Sequence, residues 1–597
     1  MAKLPKSFDP NKVERFTDLK HLLNAVAVKH KGLPYITYKD ENAEGGKRSI
    51  TFDGMLDLVN QLGTSFYKMG LMEKRVAILG ETRYEWLTCF FATANGGGAA
   101  VPIDKELKDE QKIAFMEIAK CDAVAYSASY AEAIEGYARS GKAVPKIFIC
   151  MDYSREEAAK LADIGVVSFK ALVEDGKKAI EEGCREYIDY KVDRQRMCSC
   201  LFTSGTTGTS KAVMLSHANL AFDAYSGACC AVFTPADRIV SVLPLHHTYE
   251  CTASFIATMP LGIEVCINDS LRMFLKNMNF FQPTLMVLVP MFVDAIVKKI
   301  WDGIEEKGKT KLVKSIIKIS NLLRKIGIDK RRTLFKDIHA AFGGNLRYIV
   351  SGGAPLNPDH VRTLDDFGIT VTQGYGTTEC SPIIALMAPE MAYEKHKSCG
   401  YPLIEADVAI LRNDGTIAPL SDKEDSEHGE VIVKGEIVML GYMDNPEANA
   451  AAFTPEGYYR TGDIGYIDKD GFIYLVGRIK NIIINTSGKN IYPEEIEEHL
   501  SSIRSIKEVA VIGRYKDGGQ YGASEVVLTA LIYPDFDLFK DANGAIRPMD
   551  EIKAAIHEEV IAVNRTLPAY KQINEIELRD TEFEKTTSKK IIRRLLK

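Results

Sequence analysis

Apolar positions along the first 200 residues come in two rhythms. Short continuous runs, RVAILG and DAVAYS among them, alternate with stretches such as RYEWLTCFFATANGGG in which apolar residues recur at helical spacing. Apolar runs of strand length separated by helical patterns predict βαβ units and a largely parallel sheet covered on both faces. The same texture returns in IVSVLPL, TLMVLVP and NLRYIVSGG. From about Ile404 it gives way to short segments bounded by turn residues, ADVAILRNDG, HGEVIVKG and GFIYLVGR, which predict a β-rich unit. Beyond Gly477, YPEEIEEHLSSI and DEIKAAIHEEVIAVNRTL read as helices, and EVAVIGRY and VVLTALIYP as strands. The expected fold class is α/β: a large N-terminal domain of βαβ-type sheets over 1–403, a β-rich subdomain of it over 404–478, and a small α+β C-terminal domain over 479–597.

Composition adds exclusions. A chain of 597 residues exceeds what one hydrophobic core organises, and 46% hydrophobic with 26% charged residues is ordinary for a globular protein. Twelve cysteines lack CxxC and His spacings, so free buried thiols in a reducing cytoplasm are expected. MAKLPKSFDPNKVERF has no apolar core of signal-peptide length, and the most apolar later run, TLMVLVPMFVDAIV, is short and interrupted by Pro290. Secretion and membrane spanning are therefore not expected. A net charge of −6 argues against nucleic acid as a partner.

That charge is unevenly spread. The segment 298–336 carries 13 Lys or Arg against four acids. Within it Leu312, Ile316, Ile319, Leu323 and Ile326 recur at helical steps, placing them on one face with lysines on the others. Two readings stand: the stripe packs on its own domain, or the basic amphipathic helix rests on an anionic membrane surface, at the inner face of the cell membrane.

The candidate chemistry begins at LFTSGTTGTSKAVMLSHANL, residues 201–220. Thr203, Ser204, Gly205, Thr206, Thr207, Gly208 and Lys211 form a small, hydroxylated run with a basic end. Glycines let backbone N–H groups approach an anion, while hydroxyls and Lys211 add donors and charge. GTTGTSK fails the Walker spacing, so a P-loop kinase or GTPase is disfavoured. Taken alone, the run is equally a flexible surface loop.

It stands with SGGAPL (351–356), GYGTTE (374–379), YRTGD (459–463), GRIKN (477–481) and TSGKNIYPEEIE (486–497). In order and spacing these motifs resemble the adenylate-forming family of acyl-CoA synthetases, luciferases and peptide-synthetase adenylation domains, over nearly the whole chain. The resemblance implies that the first loop cradles the β- and γ-phosphates of ATP and that Gly353 and Ala354 pass edge-on to adenine. It implies that Gly374, Tyr375, Gly376 and Thr377 belong to the nucleotide site, with Tyr375 stacking on the base. Thr378 would contact the α-phosphate and Glu379 would bind Mg²⁺. Asp463 would hold the ribose hydroxyls, Arg478 the ribose and phosphates, and His247 would line the acyl carboxylate, with His246 beside it. Lys590 in EKTTSKKIIRR would be the catalytic lysine, with Lys589 as the adjacent alternative. The family's C-terminal domain is mobile and turns between half-reactions; here its hinge would be Lys480, and Gly488 would line the CoA tunnel.

The motif set and the basic insert resemble bacterial long-chain fatty acid–CoA ligases most, implying fatty acid, ATP and CoA as substrates and Mg²⁺ as cofactor. Alternatives are another carboxylic acid, an acyl carrier protein as acceptor, a luciferase-type oxidase, or a relative without catalysis. The oligomeric state is left open, a homodimer included.

Overall fold

The computed structural model describes residues 4–203, 210–419, 426–485, 489–515, 526–541, 543–586 and 590–596. RVAIL forms strand Arg75–Leu79, helix Tyr84–Asn95 follows, and strand Ala99–Pro102 lies parallel to the first. These strands belong to an eight-stranded sheet. Its order is Gly441–Tyr442, Lys211–Ser216, Met197–Thr203, Ala99–Pro102, Arg75–Leu79, Ala123–Tyr126, Ile147–Cys150 and Val166–Ser168. IVSVLPL, TLMVLVP and NLRYIVSGG supply Arg238–Ser241, Leu285–Leu288 and Tyr348–Ser351, neighbouring parallel strands of a nine-stranded sheet. Helix His217–Cys230 is buried along its whole length and shares one apolar core with Val76 and Val213 of the first sheet and Ile239, Val265 and Ile384 of the second. A helix buried all round sits between two sheets, where neither face meets water, and its polar members His217, Asn219, Asp223 and Ser226 are buried with it.

The short segments after Ile404 form a five-stranded antiparallel sheet ordered Ile417–Pro419, Asp407–Leu411, Gly429–Lys434, Tyr459–Ile467 and Ile473–Arg478. After it, Ile506–Tyr515, Val526–Pro534 and Glu575–Leu578 make a three-stranded sheet with helices Pro493–Ser501 and Met549–Asn564 on a separate apolar core. The fold is thus mixed α/β with a large N-terminal sheet region and a smaller C-terminal unit. All twelve cysteines are free, ten of them buried.

The basic insert folds as helices Pro290–Glu306, Thr310–Lys325, Arg331–Leu334 and Lys336–Ala341. Here the single apolar face expected from the spacing is divided. Val313, Ile316 and Ile317 pack on the domain, whereas Leu312, Ile319, Leu322 and Ile326 are 56–69% exposed. Arg324 accounts for the rotation: its guanidinium donates to Asp365 at 2.7 Å, and Asn321 donates to Asp366 at 2.7 Å, turning their side of the helix inward. No helix among the described residues is long and apolar enough to cross a membrane.

Candidate active site

Strand Thr370–Gly376, between Tyr348–Ser351 and Ile383–Leu386 in the nine-stranded sheet, ends in GYG. Tyr375 is buried, and its hydroxyl donates to Asp463 Oδ2 at 2.8 Å. Asp463 lies on strand Tyr459–Ile467 in register with Arg478 of the next strand, whose Nε forms an ion pair with Asp463 Oδ1 at 2.7 Å. Burial is the largest influence on the Asp463 carboxyl and raises its pKa, against the opposing pull of Arg478, the Tyr375 hydroxyl and Lys590. Sheet register on one side and the packing of a second sheet on the other therefore fix a carboxylate whose two oxygens are both engaged.

At Gly376 a β-carbon would lie 1.6 Å from the Pro382 carbonyl oxygen, so the chain can double back here only with glycine. The return brings Thr378 and Glu379 into a short 3₁₀ turn, with Thr377 as its N-cap. The Thr377 hydroxyl is buried without a hydrogen-bond partner among the described residues, and Gly374 pairs with Leu386 in the sheet. Glu379 accepts a hydrogen bond at 2.9 Å from the hydroxyl of Tyr442, and its carbonyl accepts one from the Met439 amide at 2.8 Å.

Lys211 opens the strand that pairs with Met197–Thr203, Thr203 lying opposite it. The hydroxylated loop thus joins two antiparallel strands, whereas a Walker loop leads from a strand into a helix. Ser204, Gly205, Thr206, Thr207, Gly208 and, further on, Gly488 lie outside the described residues. The Lys211 ammonium sits 4.4 Å from the centroid of the Tyr442 ring.

Gly353, at φ +84°, turns the chain after strand Tyr348–Ser351, and Gly353 and Ala354 are exposed. The Tyr249 ring, 2.9 Å from where a β-carbon of Gly352 would stand, closes the inner side of this turn. His246 and His247 lie side by side with ring centroids 4.4 Å apart. His246 Nε2 is 3.2 Å from Asp104 Oδ1, in a geometry that makes no hydrogen bond, and His247 Nε2 is buried without a partner among the described residues. Burial lowers the pKa of His247, Asp104 opposes it, and Lys590 adds to it.

Lys590 reaches the same place from the C-terminal unit. Its carbonyl accepts from the Thr586 amide at 2.8 Å, and Lys585 and Ile591 form a β-bridge beside it. Loss of hydration lowers the Lys590 pKa, Arg478 lowers it further, and Asp463 and Glu379 oppose them. The alternative, Lys589, lies outside the described residues. Lys480 falls in the 3₁₀ turn Ile479–Asn481 that directly follows the Arg478 strand.

The fold thus brings Tyr375, Glu379, Asp463, Arg478, His247 and Lys590 to one place, with Lys211 joined to it through Tyr442. Tyr442, Tyr249 and Asp104 were not legible as site residues. A tyrosine in LGYMDNP has no spacing signature, and its partners stand 63 residues and more than 200 residues away.

A profile of AMP-binding enzymes matches residues 23–443. The chain belongs to this family, that of the adenylate-forming acyl-CoA ligases. The long-chain-fatty-acid–CoA ligase FadD15 of Mycobacterium bovis is 27% identical to this AMP-binding enzyme over 459 residues, covering 74% of this chain and 71% of its own. The 2-succinylbenzoate–CoA ligase of Bacillus licheniformis is 31% identical over 315 residues, 52% of this chain and 56% of its own. Among solved structures, the o-succinylbenzoate–CoA synthetase of Bacillus subtilis in complex with ATP and magnesium ion superposes with a TM-score of 0.67 at 22% identity, over 96% of this chain and 98% of that one. It shares the fold with this AMP-binding enzyme.

Proposed function

We propose that the protein activates a long-chain fatty acid as its acyl-adenylate and transfers the acyl group to CoA. The observation that carries this reading is the convergence of Lys590, from the C-terminal unit, with Asp463, Arg478 and Glu379. A carboxylate oxygen attacks the α-phosphorus of ATP, and pyrophosphate leaves with the electron pair of the broken P–O bond. Negative charge rises on the phosphorus oxygens, where Lys590 and Thr378 stand to meet it. Tyr375 and Asp463 hold the nucleoside, Arg478 bridges ribose and phosphate, and Thr203 and Lys211 flank the triphosphate loop. Glu379 would hold Mg²⁺: it offers a hard carboxylate oxygen that accepts no hydrogen bond among the described residues, and Mg²⁺ on phosphates takes only one or two protein carboxylates. When bound, the ion supplies a Lewis acid to the phosphate oxygens. His247, neutral because its pKa is lowered, lines the acyl carboxylate without adding a charge that would compete with Lys590.

In the second half-reaction the CoA thiol attacks the acyl carbon, AMP leaves with the electrons of the acyl–oxygen bond, and the thiol proton is released. Lys590 has to withdraw before the thiol enters, and a turn about Lys480 at the end of the Arg478 strand would withdraw it. A domain boundary at 478/479 would follow from that motion, with 403/404 marking only the start of the β-rich subdomain within the N-terminal domain. Palmitate-dependent exchange of pyrophosphate into ATP, followed by AMP release on adding CoA, tests the reading. Exchange with 2-succinylbenzoate but not with palmitate overturns the long-chain assignment, and turnover with acyl carrier protein alone overturns CoA as acceptor.

The insert suits an insoluble substrate. Leu312, Ile319, Leu322 and Ile326 fall in one arc of the helix, and Lys311, Lys318 and Lys325 run beside it, all exposed. Four large apolar side chains left in water forgo roughly 1.5–3 kcal/mol each, and each lysine near an anionic surface adds about 1 kcal/mol. This element would lay the protein on an anionic bilayer. Co-sedimentation with phosphatidylglycerol vesicles is expected, weakened by salt and by Glu at Lys311, Lys318 and Lys325. Equal binding to neutral vesicles, or none, contradicts it.

A further inference from the structure

We propose that Tyr442 is a positioning residue that separates Lys211 from Glu379 and orients both, its hydroxyl aiming the carboxylate and its ring face seating the ammonium. The assignment rests on the adenylation reading. Its geometry is independent of it: the hydroxyl donates to Glu379 Oε1 at 2.9 Å, and Lys211 Nζ stands 4.4 Å from the ring centroid. One aromatic side chain therefore touches an anion through its edge and a cation through its face. Both contacts match the ring's charge distribution.

Tyr442 is itself firmly held. It is 5% exposed, and strand Gly441–Tyr442 pairs with Lys211–Ser216, Tyr442 opposite Val213. Its amide donates to Asn449 Oδ1 at 2.7 Å, and Asn449 Nδ2 donates back to its carbonyl at 2.9 Å. Burial raises the phenol's pKa and the charge of Glu379 raises it further, so the hydroxyl remains a donor across the working pH range.

The physical need is separation. Lys211 ends the proposed phosphate loop and Glu379 would hold the cation, and two opposite charges on neighbouring elements would close into a direct ion pair if nothing stood between them. That pair would withdraw the ammonium from phosphate and the carboxylate from the cation. The Tyr442 ring keeps them apart, while its hydroxyl engages Oε1 and leaves Oε2 outside any hydrogen bond among the described residues.

The test is Mn²⁺ binding, read by electron paramagnetic resonance, to the full-length protein with a non-hydrolysable ATP analogue. In Tyr442→Phe the ring stays and the donor is lost, so Mn²⁺ affinity in the ternary complex is expected to fall about tenfold, the scale of one hydrogen bond to a charged group. Metal-free analogue binding, AMP binding and the melting temperature stay unchanged. Tyr442→Leu, losing ring and hydroxyl, is expected to weaken analogue binding as well, with AMP binding retained. A Phe variant that binds Mn²⁺ as the wild type does, or that loses AMP binding and melting temperature in step with Mn²⁺, overturns the proposal and leaves the adenylation reading intact. Absence of metal–nucleotide binding by the wild type overturns both.

Discussion

Lys590 shows how much of a residue's chemistry its neighbours decide. As the last of seven consecutive polar positions in EKTTSKK it reads as a basic tail, and only the motif resemblance separates it from Lys589. In the fold it faces two carboxylates and a guanidinium, and desolvation together with Arg478 keeps its pKa below the usual lysine range. The sign of the consequence is definite. In the proposed reaction the ammonium is the active form, so adenylation is expected to fall as pH rises through that lowered pKa, earlier than an ordinary lysine would titrate. Lys590→Arg, which stays charged, is expected to be slower at neutral pH but to lose that alkaline limb. Acyl-AMP formation measured from pH 6 to 10 checks this, and an unchanged limb in the variant contradicts it. Asp463 teaches the complementary lesson. The motif YRTGD singled it out, but its contact to Arg478 comes from strand register and its contact to Tyr375 from the packing of a second sheet, and no local pattern encodes either.

Among elements, the parallel strands were legible because a strand covered on both faces is apolar where it is covered, as VAIL (76–79) and LMVL are. The insert helix was legible as a helix but not in its orientation. Arg324–Asp365 and Asn321–Asp366 turn it, and both partners lie about 40 residues downstream. The π-helical segment Tyr249–Ile256 was not foreseen at all. It buries Glu250 completely, between the hydroxyls of Ser241 and Ser254, the latter at 2.8 Å. Burial lifts the Glu250 pKa to about 7, with the two serines and the Leu243 backbone opposing. The folded protein then holds a proton that the unfolded chain releases near the usual glutamate value. Stability is therefore full in acid up to that value and declines as pH rises through about 7, by on the order of 3 kcal/mol. Glu250→Gln is expected to flatten the dependence of the melting temperature between pH 5 and 8. A slope equal to wild type in the variant would assign the dependence to other groups.

At the scale of the molecule, the C-terminal unit is seated with Lys590 at the site, and ion pairs far from the chemistry hold it there. Lys298 pairs with Asp535 at 2.7 Å, and Arg504 lies 3.3 Å from Glu305 and 3.6 Å from Asp302 of helix Pro290–Glu306. These pairs are partly exposed, so each would contribute at most a few-fold to the proposed equilibrium between seated and turned states. Lys298→Ala with Arg504→Ala is expected to slow adenylation up to about fivefold while leaving CoA transfer equal or faster. Parallel assay of the half-reactions checks it, and equal loss in both contradicts a seating role.

The most direct test of the account is the formation of palmitoyl-AMP in a single turnover by Lys590→Ala, set beside thioester formation by the same variant from pre-made palmitoyl-AMP and CoA. The account predicts that the first is lost by about 3–4 kcal/mol in barrier, a factor of several hundred, while the second stays near wild type, because the lysine meets charge that exists only in the adenylation transition state. Wild-type adenylation by the variant, or equal loss in both half-reactions, would contradict it.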